Sequence, residues 1–325
     1  MNDRDSMAHT AASMYHLQGK TMETIAQHLK VSRPTVSRLL TYAQNTGIVT
    51  ITVNQPAAFS SILQRKLKEV FGVSAWVVEV PPGTTRIRRL QEVAKVAAAH
   101  LTSVVQAGDT IAVAWGNTTA EVAAQMKPAH VPGVTVVQIN GAGAATTTGV
   151  PHAGAIVSQI AQAFEGHSIH FPVPAFFDHE ETRQALVKER SIQRVLTAQQ
   201  QARIALFGVG SFSSEIPSHV YSGGYLSNRE IAMLEEEGAV GDICTVIIRA
   251  DGTYQDITIN RRASGPSPAN LRRIPVRICV VSGKSKSVAL LGALKAQVPT
   301  DLIISSDAAK EVLRIEADHA WSQVH

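Results

Sequence analysis

The chain has 325 residues, 45% of them hydrophobic and 17% charged, a balance that fits a protein of about two domains with sizeable cores. A formal net charge of +4 leaves no basic or acidic tail, and nothing approaches the run of 18 or so apolar residues that a spanning helix needs. Cys244 and Cys279 sit in the apolar runs "GDICTVII" and "VRICVV" and read as buried core thiols, not as a disulfide or metal site; the start, "MNDRDSMAHTAAS", lacks an apolar signal region, so a cytoplasmic protein is expected.

In chain order, residues 7–18 carry Ala8, Ala11, Ala12 and Tyr15 at helical spacing. After Gly19-Lys20, Thr21 can cap a second helix whose inner face is Met22, Ile25, Ala26 and Leu29. Lys30 and Val31 lead to Ser32, an N-cap for a third helix with Pro34 in its first turn, burying Val36, Leu39, Leu40 and Ala43 and ending near Gly47. "IVTITV" then alternates as a short strand, the wing of a winged unit. Two short helices joined by a tight turn form a helix-turn-helix, whose second helix offers its first residues to DNA base edges. Here these are Ser32, Arg33, Thr35, Ser37 and Arg38; arginine can hold guanine with two hydrogen bonds, and the hydroxyls can bond bases or phosphates. The periodicity fits equally a plain three-helix subdomain with a solvated charged face.

The run "LQGKTMETIAQHLKVSRPTVSRLLTYAQNTGIVTITV" resembles the N-terminal domain of the SorC/DeoR-type sugar-binding transcriptional regulators of bacteria. It shares with them Ile25-Ala26, Leu29, Ser32-Arg33, Val36-Ser37-Arg38-Leu39-Leu40, Ala43 and Gly47-Ile48-Val49. Lys30 stands where that family has glycine, at a cost of about 1 kcal/mol if the position needs a positive φ.

Next, Phe59, Ile62, Leu63, Lys66, Leu67, Val70 and Phe71 give an amphipathic helix ended by Gly72. It reads either as a helix packed on its own domain or as a linker helix that couples two domains. The division expected is a DNA-binding domain over 1–54, a linker helix over 55–72 and an effector-binding domain over 73–325.

From residue 73, apolar runs alternate with Ala-rich helical runs: "AWVVEV", 86–106, "TIAVAW", 118–127, "VTVVQI". This pattern predicts an α/β, Rossmann-like domain with a parallel sheet covered by helices, binding its ligand at the carboxyl ends of the strands. Four glycine-containing turns follow strands there: Gly116-Asn117-Thr118-Thr119, Asn140-Gly141-Ala142-Gly143, Gly208-Val209-Gly210-Ser211, and Ser282-Gly283-Lys284-Ser285-Lys286. Each alone is an ordinary tight turn. Four on one sheet edge, one with lysines, read as a pocket for a small phosphorylated or polyhydroxylated ligand. His152, after "TTTGVP", is a further candidate contact, while His167, His170 and His179 do not complete a metal-ligand spacing.

These segments extend the same resemblance. The family's strand-end turn is matched at Trp115-Gly116-Asn117-Thr118, its Asn-Gly-Gly in part at Asn140-Gly141, its Gly-Ile-Gly at Gly208-Val209-Gly210, a further motif at Gly238-Ala239-Val240-Gly241-Asp242, and its lysine motif from Ser282-Gly283 through Lys286. The resemblance implies a fold like that of the sugar-phosphate isomerases, a homotetramer, operator DNA as partner, and no cofactor. It implies that Gly116, Asn117, Thr118 and Thr119 hold the phosphate or terminal hydroxyl of a sugar, polyol or sugar phosphate, that Asp242 accepts from hydroxyls, and that Lys286 meets the anionic end. The altered Asn-Gly-Gly and Ser282 point to a ligand that differs from the usual sugar phosphates. The alternative is an isomerase or deaminase enzyme with an appended helix-turn-helix. Against it, Gly208-Val209-Gly210 is not followed by the Asp and His with which such deaminases shuttle protons.

Overall fold

The computed structural model describes residues 3–49, 57–144, 150–212, 214 and 218–324, with no side-chain account at the helix ends 57–59, 150–152, 219 and 319–324. The chain divides into two compact units, Met1–Pro56 and Ala57–His325. Among the described residues no helix is long and apolar enough to cross a membrane.

The first unit holds α1 (Asp3–Ala12), α2 (Met22–Leu29) and α3 (Arg33–Asn45). Ala8, Ala11 and Ala12 let α1 approach α3 closely, and Ile25, Val36, Leu39, Leu40 and Ala43 fill the space between the helices. Thr21 caps α2, its hydroxyl accepting from the Thr24 N–H at 3.2 Å. Between α2 and α3 Lys30 takes a left-handed conformation, φ 54°, which brings the Val31 N–H to the Ala26 carbonyl at 3.0 Å and turns the chain sharply. Tyr15 departs from expectation. Residues Ser13–Leu17 wind as a π-helix, and the wider turn puts Met14 inside and leaves Tyr15 38% exposed. The strand expected over "IVTITV" lies largely outside the described residues.

The larger unit runs α4 (Ala57–Phe71), β1 (Ser74–Val78), α5 (Arg86–Val104), β2 (Thr110–Val113), α6 (Asn117–Ala124), β3 (Thr135–Gln138), α7 (Val150–Ala163), β4 (His167–Ile169), α8 (Glu180–Leu186), α9 (Arg190–Gln200) and β5 (Ile204–Ser211). It continues with α10 (His219–Ser222), α11 (Asn228–Glu236), β6 (Ala239–Ile243), β7 (Val246–Arg249), α12 (Pro268–Leu271), β8 (Val276–Val281), α13 (Ser287–Lys295), β9 (Asp301–Ser305) and α14 (Ser306–Val324). The strands line up β1-β9-β8-β5-β2-β3-β4, each pair parallel. An antiparallel β6–β7 hairpin extends the sheet from the far end of β5.

Alternation along the strands sorts the core into two layers. Ala112 and Ala114, Ala205, Phe207 and Val209, and Cys279 and Val281 face α4, α9, α13 and α14. Ile111 and Val113, Ile204 and Leu206, and Ile278 and Val280 face α5, α6 and α7. With both faces covered, the inner strands are mostly apolar, which is why the sequence shows runs and not alternation, whereas the edge strand β4, His167–Ile169, is polar and largely exposed. Both cysteines are free and buried.

Helix α4 belongs with the larger unit, packing beside β1 and α14 through Leu63 and Leu67. Its apolar stripe is only partly used: Ile62 is 39% and Val70 51% exposed, although helical spacing puts both on the apolar face. Leu67→Ala is therefore expected to destabilise the larger unit by about 2–5 kcal/mol and Val70→Ser by less than about 0.5 kcal/mol, measured by urea denaturation.

Candidate functional site

Chain order reverses at one point in the sheet. From β2 the chain builds outward through β3 and β4, whereas β5, β8 and β9 lie on the other side. Connections leaving neighbouring strands in opposite directions open a crevice at their carboxyl ends. At the opposite end, Arg203 closes the β2–β5 junction on Asp109, with Nε 2.6 Å from Oδ1. Burial would raise the Asp109 carboxyl, but bonds from Arg203 and the Gln106 N–H hold it below its ordinary value.

The crevice is a pocket lined from the ends of β2, β3, β5 and β8 and from the hairpin. The turn after β2 contributes Gly116, Asn117, Thr118 and Thr119. Gly116 adopts φ 151°, where a side chain would be strained, and its carbonyl accepts from the Thr119 hydroxyl at 3.1 Å and the Ala120 N–H at 2.9 Å as α6 begins. Thr118 and Thr119 are buried at the amino end of α6, whose N–H groups and dipole favour an anion or an electron-rich oxygen. Asn140 enters from β3; its Oδ1 is buried without a hydrogen-bond partner among the described residues, so it is available to a ligand donor.

The charged centre is Asp242 with Lys286. Asp242 is buried; Oδ1 accepts from the Tyr221 hydroxyl at 2.9 Å and Oδ2 from the Thr245 N–H at 3.0 Å. Burial raises its carboxyl above the ordinary value, opposed by these two bonds and by the charge of Lys286. Burial likewise lowers the Lys286 amine, opposed by Asp242 and Cys279, and the Lys286 Nζ lies 3.4 Å from Thr118 Oγ1. The amine therefore reaches the same turn that carries the buried threonines. Burial and Asp242 together push the Tyr221 hydroxyl well up, so it stays a donor.

Most of the residues expected at one sheet edge meet there. Gly116, Asn117, Thr118, Thr119, Asn140, Gly208, Gly210, Asp242, Gly283 and Lys286 all line the pocket. Three of the anticipated residues do not. Gly141 packs where a Cβ would lie 2.3 Å from the Pro174 carbonyl, and Gly143 bridges to Pro174, so both run alongside Val173–Ala175. Ser211 is buried behind the pocket, where its hydroxyl donates to the Ser285 carbonyl at 3.3 Å and supports the lysine loop. The side chain of His152 lies outside the described residues.

Residues 208–211 are also not a turn. Strand β5 continues through Ser211, pairing with β8 as far as Gly208 and with β6 from Val209. Gly210 is glycine because a Cβ there would stand 1.8 Å from Asp242 Oδ1. Missing from the sequence reading were Arg86 and Arg89 of the first turn of α5, both in the pocket lining; Arg89 Nη1 lies 3.5 Å from Asp307 Oδ2. "EVPPGTTRIRRL" is a further strand–glycine–helix junction, capped by Thr85, and it carries the same signal as the other four.

On the first unit, Ser32, Arg33, Ser37 and Arg38 are exposed and Thr35 is half-buried. The Ser32 hydroxyl sits 2.9 Å from that of Thr35, which also accepts from Arg38 Nη2 at 3.4 Å, and Arg33 Nε pairs with Glu23 Oε1 at 2.9 Å.

A family model described as "Putative sugar-binding domain" matches residues 55–314. The "Deoxyribonucleoside regulator" of Bacillus subtilis (strain 168) is 31% identical over 96% of this chain and 98% of its own length. A solved domain of "a possible sugar-binding transcriptional regulator" from Arthrobacter aurescens TC1 is 38% identical, covers 80% of this chain and all of that one, and superposes with a TM-score of 0.74. The full-length sorbitol operon regulator SorC of Klebsiella pneumoniae shares the fold over 96% of this chain and all of its own, with a TM-score of 0.76 at 22% identity.

Gly210→Ala is expected to push Asp242 off Tyr221 and cost about 1–3 kcal/mol, read by thermal or urea unfolding. Adding Asp242→Ala should recover part of that loss, a coupling a double-mutant cycle measures.

Proposed function

Because the chain belongs to the SorC/DeoR-type sugar-binding transcriptional regulators, we propose that it is a one-component switch: operator DNA on the first unit, a sugar-derived effector on the larger one. The observation that carries this reading is the state of the pocket's charged groups. Asp242, the one carboxylate in the lining among the described residues, has both oxygens engaged by Tyr221 and Thr245. It is held as an acceptor for hydroxyls, not poised to take a proton from carbon. Lys286, Arg86, Arg89 and the amino end of α6 instead make the pocket receptive to an electron-rich or anionic end. A sugar, polyol or sugar phosphate supplies both features. The likeness of the Gly116–Thr119 turn to that of the sugar-phosphate isomerases is then a shared way of holding such a ligand, without the proton shuttle of those enzymes.

On DNA, α3 is the recognition helix, with Ser32, Arg33, Thr35, Ser37 and Arg38 toward the groove, and α4 is the segment through which the effector state is passed along the chain. One helix-turn-helix makes few base contacts, so a homo-oligomer on a repeated site follows, and the family resemblance favours a tetramer. The effector acts only through its differential affinity for the two states, typically about 1–3 kcal/mol of coupling.

Fluorescence anisotropy with operator DNA tests the first half: Arg33→Ala or Arg38→Ala should each weaken binding by about 1–3 kcal/mol where it reads a base. Unchanged binding in both variants would sink the assignment of α3. A thermal-shift screen over sugars, polyols and their phosphates tests the second half, since a bound effector raises stability as its concentration exceeds Kd. Thr118→Val or Lys286→Ala should abolish the effector's influence on DNA binding and leave DNA binding itself intact; a response that survives both would remove the pocket from the mechanism.

A further inference from the structure

The larger unit contains a second cavity, on the other side of the strand ends that carry the first. It lies between α9, the turn after β3 and the excursion from Tyr254 to Ile274. Its floor is apolar, with Ile139, Val246 and Ile274 buried beneath it. Its walls are basic: Arg183, Arg261 and Arg273 line it, and no Asp or Glu does so among the described residues. Arg183 is anchored by Nε donating to the Ala263 carbonyl at 2.7 Å, and among the described residues its two terminal nitrogens make no further bond. The guanidinium groups of Arg261 and Arg273 have no ion pair or hydrogen bond among the described residues. Several other arginines of this unit do meet carboxylates, Arg203 at Asp109, Arg249 at Asp256, Arg262 at Glu230 and Arg314 at Glu311, which the three in this cavity do not among the described residues. Arg261 and Arg273 are exposed and Arg183 is half-buried, so the recess presents positive charge at the surface with no carboxylate in its lining among the described residues, and an anion meets complementary charge there.

The cavity is separate from the effector pocket yet backs onto it. Consecutive residues face opposite ways, so Asn140 lines the first pocket and Ile139 the second, and Thr245 lines the first and Val246 the second. Gln199 of α9 braces this divide, its amide donating to the Gln138 carbonyl at 2.8 Å.

We propose that the Arg183–Arg261–Arg273 cavity is a second ligand site, for a small acceptor-rich anion of the carboxylate or phosphate class. The forks of three arginines match planar or tetrahedral oxyanions with paired hydrogen bonds, and the absence of acidic groups selects against cations. The assignment does not depend on what the first pocket binds.

The test uses the full-length protein carrying Lys286→Ala, so that the first pocket is disabled, titrated calorimetrically with pyrophosphate and, separately, with citrate. Binding of at least one probe is expected, with Arg261→Ala plus Arg273→Ala in the same background weakening it by about tenfold or more. The two probes distinguish phosphate from carboxylate recognition. Arg261→Lys plus Arg273→Lys should fall between, since the charge remains and the fork is lost. If Lys286→Ala does not fold, the arginine pair is replaced in the unmodified chain and should remove a binding step that the unreplaced chain shows. The proposal is overturned if folded protein binds neither probe, or if binding survives loss of both arginines. It is also overturned if their replacement alters the oligomeric mass without touching anion binding, which would make the cavity a subunit contact.

Discussion

The organisation of the larger unit follows from one topological constraint, the placing of β2 beside β5 with their onward connections running apart. Parallel strands need long crossovers, and crossovers that leave in opposite directions cannot cover the strand ends between them. The gap that remains gathers the turns after β2, β3 and β8 and the last residues of β5, which lie far apart in the chain. The other end of the same junction is closed by Arg203 on Asp109, so the two ends of one strand pair have opposite characters, one sealed by an ion pair and one open to a ligand.

Within the gap, the burial of opposite charges near one another sets the chemistry. Taken singly, Asp242 and Lys286 would each be driven toward neutrality by burial, the carboxyl upward and the amine downward. Each offsets the other in part, and Tyr221 and Thr245 each take one acceptor position on Asp242, leaving further lone pairs for a ligand. The arrangement also explains three glycines: Gly210 clears Asp242, Gly241 keeps clear of the Gly210 carbonyl, where a Cβ would stand at 2.0 Å, and Gly116 frees the start of α6. A site so fixed by its own groups is suited to recognising a ligand whose hydroxyls and anionic end complete the network.

The first unit relies on a different economy of contacts. Its core is small, built from alanines on α1 and a few branched residues on α2 and α3, so close helix approach replaces bulk. Lys30 holds the left-handed position between α2 and α3 despite its side chain, because the turn satisfies α2's last carbonyls. The result leaves Ser32, Arg33, Ser37 and Arg38 on the solvent side of a helix whose other face is fixed by Val36, Leu39, Leu40 and Ala43.

Local pattern was enough to write much of this into the sequence. Helical spacing set the inner face of α3 residue for residue, Thr21 and Ser32 marked helix starts, and unbroken apolar runs announced parallel strands buried on both faces. Glycine turns after those strands located the pocket edge, and ten of the anticipated residues line it. Where sequence failed, the deciding contact was distant in the chain. Nothing local distinguishes a glycine in a turn from Gly210, which stays in β5 because Asp242 from another strand lies over it. Gly141 and Gly143 look like pocket glycines until Val173–Ala175 is packed against them. Tyr15 turned outward because a π-helical turn changed the phase of α1, and Arg86 and Arg89 joined the pocket only because the sheet order set α5 beside the loop after β8. The sequence by itself determined which residues could form helices, strands and caps, since those depend on neighbours three or four positions away. The tertiary structure alone decided which strand ends meet, because strand order is fixed by packing among elements that the chain keeps far apart.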